Sequence, residues 1–110
     1  MVKLLDSGII PASGTKWGLW EDVGVGPDTV RVEYIYVGGR REAHVAPVWV
    51  DVCRGDEPVV TWWAGEVRAT LAPKEVRVHV SERALRRIDE IKEPLLGHIM
   101  ESVREHDEVA

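Results

Sequence analysis

Residues 81–103 read SERALRRIDEIKEPLLGHIMESV and have the clearest periodicity in this chain of 110 residues. Ser81 is placed to cap a helix, and apolar residues then recur at helical spacing. They are Leu85, Ile88, Ile91, Leu95, Leu96, Ile99, Met100 and Val103. At about 100° per residue they cover roughly half of a helix surface. The pattern predicts a long amphipathic helix over residues 81–107, with one face buried.

Pro94 falls opposite the centre of this apolar arc. On the solvent side of one long helix it would remove a single backbone hydrogen bond and bend the helix around its core, and we favour this interpretation. The alternative is two helices, with Pro94 starting the second and a break near Lys92 and Glu93. Four residues of this segment are also predicted to form an interface with another molecule: Leu95, Ile99, Met100 and Val103.

The segment before the helix, residues 29–80, alternates between apolar and polar residues with period two. Its last strand shows the pattern clearly, with Val76, Val78 and Val80 inward and Arg77 and His79 outward. Such alternation is typical of strands with one face buried and one face exposed. The predicted fold class is therefore α+β: an antiparallel β-meander of four to six strands, covered by the long C-terminal helix.

A first hairpin of this meander is predicted from its register. If Gly38 and Gly39 form a two-residue turn, Glu33 lies opposite His44 as an opposite-charge pair. One face of the hairpin would then be apolar, comprising Val30, Val32, Tyr34, Tyr36, Ala43 and Val45. The phase changes beyond Pro47, which predicts a bulge near Ala46 and Pro47.

Residues 1–28 contain half of the ten glycines, together with two prolines. This composition predicts an irregular segment, apart from short strands at residues 4–5 or 8–10. Trp17 and Trp20 are expected to fold back and plug one end of the core. The chain is thus expected to be a single domain over residues 1–110, made of an irregular part (1–28), a sheet (29–80) and a helix (81–107).

Composition limits the classes of function. The chain has no Asn, Gln or Phe but five Trp, and missing side-chain amides predict a thermophilic source, although a GC-rich genome would give the same bias. The net charge of -5 argues against a surface built throughout for polyanions. No apolar run is long enough to span a bilayer, and no signal peptide is recognised, so a cytoplasmic location is expected.

Catalytic patterns are weak. His44 and Cys53 are nine residues apart on one extended segment, about 30 Å, and Cys53 is more simply a small buried residue. His98 and His106 lie about 12 Å apart along a helix, too far to share a metal. We therefore expect no enzyme activity, no catalytic residue, no metal and no cofactor.

Two functions remain. The first is a non-catalytic protein-interaction or assembly module, expected to form a homodimer and to dock onto an unidentified protein. The second is binding of single-stranded nucleic acid, in which exposed tryptophans stack on bases and arginines hold phosphates. The residues predicted to bind are Trp49, Trp63, Arg31 and Arg40. Trp62 and Trp63 are adjacent, so in a strand one would be in the core and the other at the surface.

A segment of about 30 residues resembles ribbon-helix-helix repressors: strand 76–80, a short helix, and then a second apolar helix. The resemblance implies that Arg77 and His79 would enter the major groove of DNA. The segment lacks the Gly- and Ser-rich turn of those repressors, and from Ser81 onward acidic side chains outnumber basic ones. A DNA binder of this kind is the less favoured form of the nucleic-acid hypothesis.

Overall fold

The computed structural model describes residues 2–13 and 15–109 and has the expected α+β class. Its strands are β1 (Val2–Ser13), β2 (Lys16–Val25), β3 (Asp28–Val37), β4 (His44–Arg54), β5 (Glu57–Ala69) and β6 (Glu75–Val80). Its helices are α1 (Glu82–Arg86) and α2 (Ile88–Val109). The long helix α2 packs on one face of a six-stranded, mostly antiparallel sheet.

The order of strands in the sheet is β1-β2-β3-β6-β4-β5, so the chain does not form a simple meander. β6 lies between β3 and β4, antiparallel to the first and parallel to the second. The predicted β3–β4 hairpin is therefore wrong, because β2 and β6 occupy the two edges of β3. Glu33 contacts His79 of β6 and not His44, and Val45 is exposed.

The N-terminal segment was expected to be irregular and instead forms two long paired strands, β1 and β2. Side chains of β2 alternate, so Trp17 and Trp20 point to opposite faces of the sheet. Trp17 stacks on Tyr36 next to the core, with ring centroids 4.6 Å apart. Trp20 lies on the other face, against Gly8 of β1. Only Trp17 thus fits the prediction that both tryptophans plug the core.

The core lies between α2 and one face of the sheet. Valines of β2, β3, β4 and β6 fill it from the sheet side, as the alternation predicted for β3, β4 and β6 but not for β2. The bulge expected near Pro47 falls slightly later, between Val48 and Trp49, where β5 contributes one extra residue. Cys53 is completely buried, as expected for a small apolar residue.

Helix α1 begins as predicted, since the Ser81 hydroxyl accepts a hydrogen bond of 3.1 Å from the Ala84 N–H. The helical segment is interrupted at Arg87, whereas α2 is continuous through Pro94. The Arg87 guanidinium pairs with the buried carboxylate of Asp28 at 3.0 Å, which holds this junction to the start of β3. The favoured interpretation, one helix running through Pro94, is confirmed, whereas the alternative break near Lys92 and Glu93 is wrong.

The four helix residues predicted to form an interface, Leu95, Ile99, Met100 and Val103, are all buried within this chain. They pack on the sheet, so their side chains are not presented to a second molecule, and this corrects the prediction. The helices of the described segments do not include one with the length and apolar character needed to cross a membrane.

Candidate functional site

The sheet face opposite α2, which we term the outer face, is not covered by any helix of the described residues. The strand alternation that sends valines into the core sends polar and aromatic side chains to this face. On β6, for example, Val76 and Val78 are buried, while Arg77 and His79 are partly exposed. Because α2 covers the other face, a ligand that contacts several strands of the sheet must bind to the outer face.

Trp49 and Trp63 form an exposed pair on the outer face of the β4–β5 hairpin. They are register partners, with ring centroids 6.5 Å apart and ring planes at 52°. Their exposed fractions are 55% and 54%, whereas the adjacent Trp62 is 6% exposed and belongs to the core. The expected division of Trp62 and Trp63 between core and surface is thus observed.

The bulge in β5 places more side chains around this pair. Because Ala64 is the extra residue opposite Val48 and Trp49, both Trp63 and Glu66 can point outward although they are three residues apart. Pro47 and Val45 of β4 are exposed next to them. The tryptophan pair is therefore the centre of an exposed apolar patch at one end of the sheet.

Charged side chains of the outer face are mostly paired with one another. Arg31 donates to the Asp22 carboxylate through two hydrogen bonds of 2.8 and 3.0 Å, and its guanidinium carbon lies 4.4 Å from the Trp20 ring centroid. The hydrogen bonds from Arg31 hold the pKa of Asp22 below its usual value. Glu33 contacts His79 in the same region. These pairings place a carboxylate next to each of the two basic side chains, which weakens their attraction for a phosphate backbone.

The four residues predicted to bind do not form one site. Trp49 and Trp63 are together, but Arg31 lies on β3, beyond the intervening strand β6, and is bound to Asp22. Arg40 is in the connection between β3 and β4. There it donates a 2.7 Å hydrogen bond to the Thr70 hydroxyl and another hydrogen bond to the Asp107 carbonyl, at the end of α2.

A polar cluster under α2 was missed by the sequence analysis. The buried Glu21 carboxylate of β2 accepts hydrogen bonds from Tyr34 at 3.1 Å, from Ser102 at 3.0 Å and from His98 Nε2 at 2.8 Å. Residues 17, 19, 21, 23 and 25 alternate regularly with outward residues, so the period-two pattern was present in a segment assigned to loops.

Burial opposes the charge of Glu21, but the hydrogen bond and positive charge of His98, with the Ser102 and Tyr34 hydroxyls, hold the carboxyl pKa below its usual value. The hydrogen bond to Glu21 likewise raises the pKa of His98. His98 Nε2 is the atom near both Glu21 and Ser102, at 2.8 and 3.4 Å. In a nucleophilic triad the serine and the carboxylate contact different ring nitrogens, so this cluster is a buried ion pair that joins α2 to the sheet.

A second polar contact, near the end of α2, joins the helix to β3. The Tyr36 hydroxyl lies 2.7 Å from His106 Nδ1, and the His106 ring packs edge-on against Tyr34. Burial lowers the pKa of His106, which favours the neutral ring that accepts from the Tyr36 hydroxyl. The histidines at positions 98 and 106 thus have separate partners, Glu21 and Tyr36.

No three His, Cys, Asp or Glu side chains among residues 2–13 and 15–109 are grouped to hold a metal ion. His44 and Cys53 are at opposite ends of β4, so they do not form a dyad. The repressor resemblance also fails geometrically, because β6 is paired on both sides within the chain and cannot form a ribbon with a second copy. Comparison of the chain with protein-family models, curated proteins and solved structures finds no match.

Proposed function

We propose that this protein is a non-catalytic interaction module that associates through the outer face of β4 and β5, first with a second copy of itself. The observation that carries the proposal is the adjacent, half-exposed pair of Trp49 and Trp63. Aromatic side chains bury a large apolar area at low conformational cost, which is why they are enriched at protein interfaces. The pair lies on a sheet face that no helix of the described residues covers, so a second copy can contact it.

Charge supports a protein partner over a polyanion. The register and strand alternation place Asp51, Glu66 and Glu75 around the tryptophan pair, together with Arg68 and Arg77. Identical faces that carry both signs can meet without net repulsion, and twofold symmetry then brings one tryptophan pair onto the other. The same carboxylates would repel the phosphates of a strand stacked on Trp49. Single-stranded nucleic acid is therefore the competing ligand, and the experiment must distinguish its binding from self-association.

The test is the molar mass in solution as a function of protein concentration, measured by sedimentation equilibrium. We expect the wild type to shift from monomer to dimer, and Trp49→Ala/Trp63→Ala to weaken dimerisation at least about tenfold, which corresponds to about 1.4 kcal/mol. Ile9→Ala is the matched control, because Ile9 is an exposed apolar residue (74%) on the opposite edge strand. It should dimerise as the wild type does.

Two results would contradict self-association through this face. One is a wild type that stays monomeric up to about 1 mM. Its dimerisation free energy would then be weaker than about -4 kcal/mol, the value that corresponds to a Kd of about 1 mM. The other is equal weakening by Ile9→Ala. A parallel titration with labelled single-stranded DNA separates the competing function: tryptophan quenching that weakens with salt and is lost in the double variant would favour nucleic-acid binding.

A further inference from the structure

A cavity of about 390 Å³ lies at the end of the sheet where β6 is absent. β6 begins only at Glu75, whereas β3 extends to Val37 and β4 begins at His44. Since Val50 of β4 pairs with Val76, the first residues of β4 extend beyond the start of β6. A gap is left between the end of β3 and the start of β4, and residues 70–74 line it. The cavity is thus a consequence of the inserted strand.

Hydrogen bonds of the main chain hold the segments that line this cavity. The Arg41 N–H donates to the Thr70 carbonyl at 2.9 Å, and the Lys74 N–H donates to the Ile35 carbonyl at 2.8 Å. The first bond joins the β3–β4 connection to the β5–β6 connection. The second joins the β5–β6 connection to strand β3. The cavity is therefore formed before any ligand arrives, which lowers the entropic cost of binding.

The charged lining is entirely basic. Arg41, His44 and Lys74 line the cavity, and no acidic residue is among its described lining residues. The side chains of Arg41 and Lys74 have no ion-pair or hydrogen-bond partner among residues 2–13 and 15–109. His44 Nδ1 donates to the Glu42 carbonyl at 3.1 Å. Arg31, Arg54 and Arg77 of the sheet pair with carboxylates, and within the described part of the chain the two cationic side chains of the cavity do not.

The rest of the lining is apolar and small, and includes Val37, Ala46, Leu71, Ala72 and Pro73. Apolar walls with a few converging polar groups are typical of small-molecule sites, and the volume is within the range of such sites. A guanidinium binds carboxylate or phosphate through two parallel hydrogen bonds, and an ammonium adds a point charge.

We propose that this cavity binds a small organic anion, with a carboxylate or phosphate head group held by Arg41 and Lys74 and an apolar body against Leu71 and Pro73. Pro47 lines the cavity and also borders the tryptophan patch, but Trp49 and Trp63 are not among the lining residues, and the proposal does not depend on the function proposed above.

The test is a ¹H–¹⁵N NMR titration at constant ionic strength with phenyl phosphate and with benzoate as probes. We expect saturable shifts of the amides of residues 37–46 and 70–74 with at least one of the two. Inorganic phosphate, which lacks the apolar body, should bind at least about fivefold more weakly than phenyl phosphate, and neutral phenol should produce no saturable shift. Arg41→Ala and Lys74→Ala should each weaken binding about tenfold.

Lys3→Ala is the matched control for Lys74→Ala, because it removes another exposed positive charge, from β1 and outside the cavity. It should change the affinity less than about twofold. The proposal is overturned if neither probe gives saturable shifts at the cavity, if phenol binds as well as the anions, or if Lys3→Ala weakens binding as much as Lys74→Ala. Because Arg41 and Lys74 are exposed, their variants should keep the wild-type amide spectrum away from the cavity.

Discussion

Glu21 is a buried carboxylate that joins helix α2 to the sheet through His98 and Ser102. A charge in an apolar core is costly unless its partners compensate for lost water, and here three donors do so. His106 is also packed against the sheet, but burial there favours its neutral form. The two histidines of α2 therefore have opposite preferences for a proton.

These preferences predict opposite dependences of stability on pH. The pKa of His98 is raised, so its ion pair contributes fully below pH 6.5 and that contribution is lost as pH rises through the raised value. The pKa of His106 is lowered, so its contribution is complete above pH 6.5 and is lost as pH falls through the lowered value. In the wild type the two effects partly cancel.

Replacing one histidine at a time should reveal the pH dependence of stability that the other contributes. Between about pH 5 and 8, the free energy of unfolding should fall with rising pH in His106→Gln and rise with pH in His98→Gln. Urea unfolding at a series of pH values measures this. Slopes of the same sign in both variants would show that the ion pair to Glu21 does not control the protonation of His98.

At the scale of elements, strand β2 shows how closely two backbones approach. A Cβ added at Gly18 would lie 2.6 Å from the Tyr34 carbonyl oxygen of β3, which is main chain and cannot rotate away. Gly24 is on the same strand and the same face, yet its nearest neighbour would be Leu5 Cδ1 at 3.6 Å, an ordinary contact. The close approach of β3 thus requires glycine at position 18, whereas position 24 has room for a Cβ atom.

Gly18→Ala is therefore expected to destabilise the protein by about 1–3 kcal/mol, because the added methyl group must push β2 away from β3. Gly24→Ala should be neutral or slightly stabilising, since alanine loses less conformational entropy on folding. Thermal and urea unfolding of the two variants provide the comparison. Equal stabilities would contradict the close contact between Gly18 and β3.

At the scale of the whole molecule, β6 connects two parts of the sheet that are otherwise separate. β1, β2 and β3 form one antiparallel unit, β4 and β5 form a second, and β6 pairs with both. Its core residue Val78 is fully buried between them. Because β6 comes after all the other strands in the chain, the sheet is complete only when this late segment is inserted.

Val78→Ala should consequently cost about 2 kcal/mol of unfolding free energy through lost burial and the cavity left behind. The same substitution at Val60, which is 40% exposed on the edge strand β5, should cost less than about 1 kcal/mol. Urea unfolding followed by fluorescence of the tryptophans measures both. A similar cost at the two positions would argue against β6 as the strand that unites the sheet.

Local periodicity was enough to predict several features of this protein: the long C-terminal helix, the Ser81 cap, the inward valines of β6 and the separation of Trp62 from Trp63. Each depends on the repeat of a helix or a strand, which neighbouring residues specify. Trp49 and Trp63 were named as binding residues from the sequence, but their exposure and their contact became known only from the structure.

Strand partners could not be predicted, because alternation shows which side chains face inward but not which strand lies alongside. β4 and β6 have equally valine-rich inner faces, and the insertion of β6 beside β3 depends on the whole sheet. The same holds for Glu21, whose partner His98 is 77 residues away, and for the basic cavity, which exists because β6 starts late. Long-range contacts of this kind are set by tertiary packing, where sequence spacing carries no information about distance.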